Sequence, residues 1–338
     1  MAADPERLYD LYANLPAPDT STQSNNLSAI RLDKSGVLHL AKDAHGLPVV
    51  LVETFASGQW LPSVELKNFT VAHSVRCSVS TIEGSVTEDE FSIMRCNSTL
   101  PAIQRIFLRF MARIEKIVDG PLTPSTMTEA IESLSRLFLS IQKPKPSFSA
   151  GLWAELLVIL FSSNPKEMLR SWHVDTTGRY DFSLGNQHLE IKSTRGEQRH
   201  HVCSYEQLAP AQGIEVVLCS LRLEQSSTGP SLGDYWDQAL ELVSDEPEMQ
   251  NKVDYVCAGA LGDAMEEGRT VCFDETEALR SLQFFHIDRI PALRAPLPVG
   301  VFNVRYSIDL EGAAPLRLDE VKRFGQLFSH AVPVGEQQ

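Results

Sequence analysis

The sequence predicts an α+β protein in which a β-rich N-terminal domain and a helical connector precede a C-terminal α/β domain. Three observations support this. Short runs of β-branched and aromatic residues follow one another from Ser28 to Cys96. Amphipathic helical periodicity then covers residues 101–118 and 124–142, and strand-like and helical segments alternate from residue 149 onwards. The predicted bounds are 1–98 for the β-rich domain, 99–147 for the connector and 148–338 for the α/β domain.

The N-terminal domain begins after a polar lead-in at residues 17–27. Its predicted strands are separated by Gly, Pro, Asp and Ser, which interrupt strands and form turns. The strands are AIRL, VLHLA, LPVVLVETF, VELKNFTVA, VRCSVS and EFSIMRC. No catalytic or metal-binding pattern is evident in this domain.

The connector consists of two amphipathic helices followed by the linker QKPKPS at 142–147. The first helix carries a basic stripe, spaced at helical intervals, which we interpret as a solvated face. The stripe comprises Arg105, Arg109, Arg113 and Lys116.

The C-terminal domain opens with a helix at 149–163 that is apolar nearly all round, GLWAELLVILF, and is therefore expected to be buried. Strands and helices then alternate. The predicted strands are 171–174, 179–184, 187–193, 199–204, 214–223, 253–258, 282–287 and 301–308, and the predicted helices lie near 233–243 and 316–327.

Composition excludes several classes of protein. With 43% hydrophobic and 22% charged residues, the chain is neither disordered, collagenous nor a coiled coil. No uncharged apolar run reaches the roughly 18 residues of a membrane helix. The six cysteines are scattered without CxxC pairs, which indicates reduced thiols and a cytoplasmic location.

The net charge of −14 argues against a polyanionic ligand, but its distribution weakens that argument. Residues 224–277 hold fourteen Asp and Glu against two basic residues, a net −12, which leaves −2 for the rest of the chain. A nucleic-acid partner is therefore compatible with the sequence.

One segment combines a β-hairpin with several ionisable residues. Gly185–Asn186 lies between two alternating runs, RYDFSL and QHLEIKS, as in a two-residue hairpin loop. If Leu184 faces Gln187, then Asp181 faces Glu190 and Tyr180 faces Ile191. Because strand side chains alternate, Asp181, Glu190 and Lys192 share one face.

Directly opposed carboxylates are destabilising unless something lies between them. Oxygen ligands at this separation suit Mg²⁺ or Mn²⁺. Lys192, on the same face, can contact a phosphate or help to activate water. Glu155 sits in the apolar helix, where a carboxylate must be paired, protonated or linked to a metal.

The pattern formed by Glu155, Asp181, Glu190 and Lys192, E…D-x₈-E-x-K, resembles the PD-(D/E)xK phosphodiesterase superfamily of restriction-endonuclease-like nucleases. Over residues 149–223 the resemblance implies a mixed sheet flanked by helices. In this reading Glu155 is the helix-borne glutamate, Asp181 and Glu190 are metal ligands, and Lys192 is the catalytic lysine.

More narrowly, GLWAELLVIL…W…DF…LEIKST…QL after a β-rich region is similar to a prokaryotic family called PD-(D/E)XK motif proteins. Its members are generally encoded near restriction-modification and phage-defence genes. Two positions depart from the superfamily pattern. Tyr180 stands where the motif has proline. Gln207 matches a glutamine that follows the motif in recombination-type nucleases, but Ala211 occupies the place of their tyrosine.

The resemblance implies a Mg²⁺- or Mn²⁺-dependent endonuclease that acts on DNA in restriction or phage defence. The carbonyl of Ile191, which lies between the two functional side chains, is a further expected ligand. Four residues that follow the site are candidates for binding substrate phosphate. They are Arg195, Arg199, His201 and Gln207.

No NTPase loop and no dinucleotide-binding loop is present in the sequence, so targeting by a partner ATPase or methyltransferase is expected. Cutting both strands of a duplex normally requires two active sites. We therefore expect a homodimer, or two copies brought together by a partner protein. The alternative is a non-catalytic DNA-binding or scaffold subunit that keeps the nuclease fold. Cleavage of RNA or of a small phosphodiester is not distinguished from cleavage of DNA.

Overall fold

The computed structural model describes residues 5–18, 25–32, 37–53, 61–81, 85–117, 123–141, 149–174 and 178–334. The chain forms two compact units, Met1–Pro144 and Lys145–Gln338. The predicted linker at 142–147 and most of the predicted lead-in at 17–27 lie outside the described residues. No helix in the described ranges is long and apolar enough to cross a membrane.

The described part of the first unit contains three helices and six strands. The helices are α1 (Pro5–Asn14), α2 (Pro101–Ile117) and α3 (Pro124–Ile141). The strands are β1 (Asn26–Arg31), β2 (Leu38–Asp43), β3 (Pro48–Glu53), β4 (Val64–Glu65), β5 (Phe69–Thr81) and β6 (Val86–Cys96). The strand order is β1-β2-β3-β6-β5-β4, and β1 also pairs with β5, so that five strands form a closed ring.

Alternation of side chains gives this ring an apolar interior. Every second residue of each strand points inwards, as shown by Leu27 and Ala29 of β1 and by Val49 and Leu51 of β3. Opposite-facing residues of the same strands are also buried, because α2 packs on β3 and β6 while α3 packs on β5. The predicted strands AIRL, VLHLA, LPVVLVETF and EFSIMRC match β1, β2, β3 and β6, although the last two residues of LPVVLVETF lie outside the described residues. The other two predictions are wrong in their bounds, since VELKNFTVA is divided between β4 and β5 and VRCSVS continues β5. The helices of the predicted connector cover these strands.

The basic stripe of α2 is only partly the solvated face that its spacing suggested. Arg105 is exposed, with its guanidinium 4.5 Å from the ring centroid of Tyr9, whereas Arg109 is 6% exposed and Arg113 is 2% exposed. The interpretation is wrong for Arg109 and Arg113, because long arginine side chains can cover apolar surface while keeping their polar groups partnered. The side chain of Lys116 lies outside the described residues.

An aromatic cluster joins α2 and α3 to the sheet. The ring of Phe138 stacks on that of Phe69, with centroids 5.2 Å apart, and meets that of Phe107 at 6.4 Å. We expect Phe138→Ala to lower the free energy of unfolding by about 3–5 kcal/mol, because it leaves a cavity in a dry core. Urea denaturation of the full chain measures this.

The neighbouring Leu139, which is 46% exposed, is the matched control. Leu139→Ala should change the free energy of unfolding by no more than about 0.5 kcal/mol. Equal effects of the two substitutions would contradict the packing described here.

The second unit is a mixed α/β structure. Its strands are β7 (Phe182–Leu184), β8 (Gln187–Thr194), β9 (His200–Ser204), β10 (Glu215–Arg222), β11 (Gln283–His286) and β12 (Arg305–Asp309). Its helices are α4 (Ser149–Phe161), α5 (Pro165–Ser171), α6 (Tyr205–Leu208), α7 (Leu232–Leu242), α8 (Pro247–Leu261), α9 (Met265–Arg269), α10 (Glu275–Ser281), α11 (Leu318–Arg323) and α12 (Gln326–Ala331).

A four-stranded sheet with the order β11-β10-β8-β7 forms the centre of this unit. β8 and β10 are parallel, whereas β7 and β11 run antiparallel to their neighbours. β10 is buried from Val216 to Leu221, as expected of a strand that is covered on both faces. β9 and β12 form a separate antiparallel pair. The mixed sheet flanked by helices confirms the predicted fold class.

Two predicted strands of the second unit are wrong. Residues 253–258 lie in α8, where Val253 and Cys257 are one helical turn apart and both buried. Pro247 at the first turn favours a helix. Residues 171–174 begin at the last residue of α5 and contribute only an isolated bridge, between Trp172 and Phe182.

Candidate active site

The β7–β8 hairpin has the register that the sequence predicts. Leu184 pairs with Gln187 and Phe182 with Leu189 across the turn. Gly185 adopts a φ of 61°, a conformation that glycine reaches without a steric penalty. The pairing ends at Phe182, so Asp181 lies one residue beyond the last pair.

Asp181 is held against β8 by its side chain. Its Oδ2 accepts a 2.7 Å hydrogen bond from the backbone N–H of Ile191, while its main-chain carbonyl accepts one of 2.8 Å from the N–H of His173. Burial, with the negative charges of Glu190 and Glu155, holds the pKa of Asp181 well above its usual value. The aspartate therefore shares a site with two other carboxylates.

Glu190 lies at the centre of the site, with a side chain only 6% exposed. Its Oε1 accepts hydrogen bonds from Lys192 Nζ at 2.7 Å and Gln207 Nε2 at 2.6 Å. Its Oε2 is buried and has no hydrogen-bond partner among the described residues. Burial raises the pKa of Glu190, whereas Lys192, Gln207 and the nearby backbone N–H of Asp181 act to lower it. A buried carboxylate oxygen without a donor costs about 1–3 kcal/mol or more.

Glu155 is brought to the same site by α4, which packs on β8. Its Oε2 accepts a 2.7 Å hydrogen bond from Trp172 Nε1. Burial raises the pKa of Glu155 to about 7, against the lowering effect of the Trp172 bond; the charge of Glu190 adds to the rise. Trp172 is thus the hydrogen-bond partner of this buried carboxylate.

Lys192 is the cation within this acidic group. Burial acts to lower its pKa, but the charge and hydrogen bond of Glu190 outweigh that effect and the pKa is raised. The ammonium thus stays protonated at neutral pH and offsets part of the charge of Asp181, Glu190 and Glu155.

Gln207 and Arg195, two of the four predicted phosphate-binding residues, have different surroundings. Gln207 is in the site, where its Nε2 donates to Glu190 and, at 3.0 Å, to the main-chain oxygen of Arg179. Arg195 is exposed, and its guanidinium lies 5.5 Å from the ring centroid of Phe273. The contacts of Gln207 orient a metal-ligand candidate.

Arg199 and His201 are buried and partnered within the protein. Arg199 donates from Nη1 to the main-chain oxygen and the hydroxyl of Ser220, and from Nη2 to the carbonyl of Ser281. The Nε2 of His201 lies 2.8 Å from the same Ser220 hydroxyl. Burial, with the charge of Lys192, lowers the pKa of His201 to about 4, so its ring is neutral. A phosphate-binding role for these four residues stays a prediction.

Tertiary contacts add groups that sequence reasoning did not assign to the site. Trp172 orients Glu155 through its indole N–H. The ring of Tyr180 stacks on that of His188, with centroids 4.6 Å apart, instead of continuing the strand opposite Ile191, and its hydroxyl donates to the carbonyl of Gln207 at 3.1 Å. No local pattern predicts these contacts, because they join segments that are distant in the chain.

The carboxylates around Glu190 have the chemistry, but not the grouping, of a divalent-cation site. In the described ranges, no three or more His, Cys, Asp and Glu side chains form a group that could hold a metal ion. However, the buried Oε2 of Glu190 lacks a hydrogen-bond donor. The charges of Glu190 and Glu155 both raise the pKa of Asp181, so the three carboxylates lie close together. Oxygen donors with this excess of negative charge are typical of Mg²⁺ or Mn²⁺ sites.

We expect Gln207→Leu to destabilise the protein by about 1–3 kcal/mol, because it removes a hydrogen bond to a buried carboxylate. Gln207→Glu should destabilise it more, since it places a second negative charge beside Glu190. Urea denaturation measures both. The exposed Gln212 provides the control, and Gln212→Leu should have little effect. A Gln207→Glu variant as stable as the wild type would contradict the contact.

A family model described as "Putative PD-(D/E)XK family member, (DUF4420)" matches residues 8–311. No curated protein and no solved structure matches the chain significantly.

Proposed function

The chain belongs to the DUF4420 family of PD-(D/E)XK members, and we propose that it is a metal-dependent endonuclease that hydrolyses phosphodiester bonds of DNA. The observation that best supports this proposal is the state of Glu190. One of its oxygens is held by Lys192 and Gln207, and the other is buried without a donor. Such an arrangement orients a carboxylate for a ligand that the protein chain does not supply.

Asp181 and Glu190 would hold Mg²⁺ or Mn²⁺, with the Ile191 carbonyl as a further ligand and Glu155 as a supporting one. When bound, the ion would polarise the scissile phosphate and lower the pKa of a water molecule. The N–H of Ile191 orients Asp181, and Gln207 orients Glu190, so both carboxylates are positioned before any ligand arrives.

Lys192 supplies a fixed positive charge to the reaction. Its Nζ is held by Glu190 Oε1, and its side chain is 21% exposed, so the ammonium is held in place but reachable. It would donate a hydrogen bond to a non-bridging phosphate oxygen, whose charge increases in the transition state.

Glu155 provides a group that can exchange protons near neutral pH. With a pKa of about 7, its carboxylate is partly ionised there and can take up a proton. Trp172 holds one of its oxygens, which fixes the orientation of the other.

We propose a restriction or phage-defence role in the cytoplasm, in which a partner ATPase or methyltransferase directs the protein to DNA. The support is the sequence resemblance and the acidic segment 224–277, which opposes unaided binding to DNA. A homodimer, or two copies paired by a partner, would allow both strands to be cut.

The proposal is tested by incubating the purified protein with plasmid DNA in Mg²⁺, in Mn²⁺ and in EDTA, beside Asp181→Ala. We expect nicked and linear DNA with either metal, and none in EDTA or with the variant. Cleavage by the variant at the wild-type rate would exclude this site. An RNA of the same sequence, assayed in parallel, tests the choice of DNA.

One observation favours a second function, that of a non-catalytic scaffold or DNA-binding subunit. Within the described ranges the acidic side chains do not form a three-ligand group, and Lys192 already pairs with Glu190. Titration of the protein with Mn²⁺ in a calorimeter separates the two functions. A nuclease should bind the ion and lose binding in Asp181→Ala, whereas a scaffold should bind no ion at this site.

A further inference from the structure

A polar cavity of about 290 Å³ lies at the carboxyl end of β10. Three arginines line it, from β10, from α10 and from the residue before β9. Its main polar lining residues are Arg199, Arg222, Arg280, Ser281, Gln283 and Glu311. This cavity is separate from the groups that surround Glu190.

The cavity is nevertheless on the same face of the sheet as the candidate active site. In the parallel register of β8 and β10, Lys192 lies beside Ser220 and Thr194 beside Arg222. Residues two apart in a strand point to the same side, so Arg222 shares the face of Lys192. Along the strands, Arg222 lies two residues beyond Ser220, the register neighbour of Lys192, a distance of about 6.6 Å.

Ser220 links the two places directly. It is the register neighbour of Lys192, and its hydroxyl accepts a 2.8 Å hydrogen bond from Arg199 Nη1. Arg199 itself lines the cavity. Because Ser220 is fully buried and Arg199 is 5% exposed, this hydrogen bond joins the cavity to the strand position beside Lys192 through the protein interior.

The positive charge in the cavity is incompletely balanced. Arg222 Nε is buried and has no hydrogen-bond partner in the described part of the chain, and its Nη2 is 3.7 Å from Glu311 Oε1, a long ion pair. Burial, and then the charge of Arg222, lowers the pKa of Arg199, which shows that the two guanidinium groups repel. Arg280 is balanced by Glu277, with Nε 2.7 Å from Oε2.

An anion between these groups would relieve the repulsion and give Arg222 Nη2 a closer partner than Glu311. Guanidinium groups present two parallel donors that match the oxygens of a phosphate. In a nucleic acid, phosphates recur at about 3.4 Å of axial rise per nucleotide in each strand. At that spacing the offset of about 6.6 Å from Lys192 corresponds to about two nucleotides along one strand.

We propose that the cavity lined by Arg199, Arg222 and Arg280 binds a backbone phosphate about two nucleotides from the one that is cut. This inference rests on the proposed function, since it takes the nucleic acid to lie across this face of the sheet. Free inorganic phosphate has the same chemistry, and the test distinguishes the two.

The test measures binding of a short fluorescein-labelled DNA duplex by anisotropy in EDTA, where no cleavage occurs. Arg222→Gln should weaken binding about tenfold and reduce the slope of log K against log salt by about one. Arg280→Gln should act in the same direction and serves if the first variant does not fold. Arg323→Gln, a side chain 77% exposed outside the cavity lining, is the control with the same charge change.

Glu311→Gln provides a change of opposite sign. It removes the carboxylate nearest Arg222 but keeps an oxygen that can accept the hydrogen bond from the Arg199 N–H. Binding of the duplex should therefore become tighter, which general loss of stability would not produce.

Equal weakening by Arg222→Gln and Arg323→Gln, without an effect of Glu311→Gln, would overturn the proposal, as would absence of duplex binding by the wild type. Thermal stabilisation by inorganic phosphate that is lost in Arg222→Gln, with unchanged duplex affinity, would show a site for free phosphate instead. Metal-dependent cleavage with and without Asp181→Ala is scored separately. The cleavage assay therefore tests the nuclease proposal, and the binding assay tests the cavity proposal. Either proposal can fail without the other.

Discussion

Lys192→Met is expected to reduce the rate of DNA cleavage by at least about 10²–10³-fold, the loss typical of removing one group that stabilises transition-state charge. The physical reason is the loss of the only cation found beside Glu190 and Asp181 in the described part of the site. Single-turnover cleavage of a labelled duplex in saturating Mg²⁺ measures the effect on the chemical step, apart from binding.

Lys166 offers a matched control for this substitution. Its Nζ forms ion pairs with Asp245 and Glu246 at the surface, and its side chain is 39% exposed. Lys166→Met should leave the cleavage rate unchanged. Lys192→Arg keeps the charge but not the compact ammonium, so a rate between those of the wild type and the methionine variant is expected. Wild-type rates in Lys192→Met would remove Lys192 from the mechanism.

Asp181→Asn is expected to increase the stability of the metal-free protein by about 1–2 kcal/mol, because it removes one of three carboxylates that repel one another. The amide oxygen of asparagine can still accept the Ile191 N–H. The pKa of Asp181 is raised in the folded protein, so the wild type loses stability as pH rises through that value. Below the usual aspartate pKa the carboxyl is protonated in both states, and the two proteins should be equally stable. Urea denaturation in EDTA at neutral and acid pH measures this difference.

Divalent metal should make the wild type more stable than Asp181→Asn, the reverse of the order expected in EDTA. A ligand that binds only the folded state stabilises it by about 2.7 kcal/mol at a hundred times its Kd. Mn²⁺ should therefore stabilise the wild type and have little effect on Asp181→Asn. Asp237, which is 55% exposed and pairs with Arg269, is the control. If Asp181→Asn and Asp237→Asn behave alike in EDTA and in Mn²⁺, the crowding of charge at Asp181 is contradicted.

The hairpin could be predicted because residues next to one another in the chain specify its turn. Gly185–Asn186 between alternating runs specifies the turn, and the turn specifies which residues pair. The apolar surroundings of Glu155 likewise indicate burial without knowledge of the neighbours. The same approach failed for residues 253–258, where a few β-branched residues resemble a strand until Pro247 and the spacing of Val253 and Cys257 are considered.

The cavity of arginines could not be predicted from the sequence. Arg199, Arg222 and Arg280 are far apart in the chain and belong to different elements. The net charge of −14 does not reveal them either, because a sum over the whole chain does not show where positive charges lie close together.

The sequence by itself determined the α+β class and the strand positions around the turn, because these depend on periodicity and on interactions between residues close in the chain. It also predicted the three acids and the lysine as site residues, and their roles rest on the family resemblance. Only the tertiary structure decided that Trp172 holds Glu155, that Gln207 holds Glu190, and that one Glu190 oxygen is left without a donor. Hydrogen bonding and burial of this kind depend on which distant segments pack together, and a linear pattern does not contain that information.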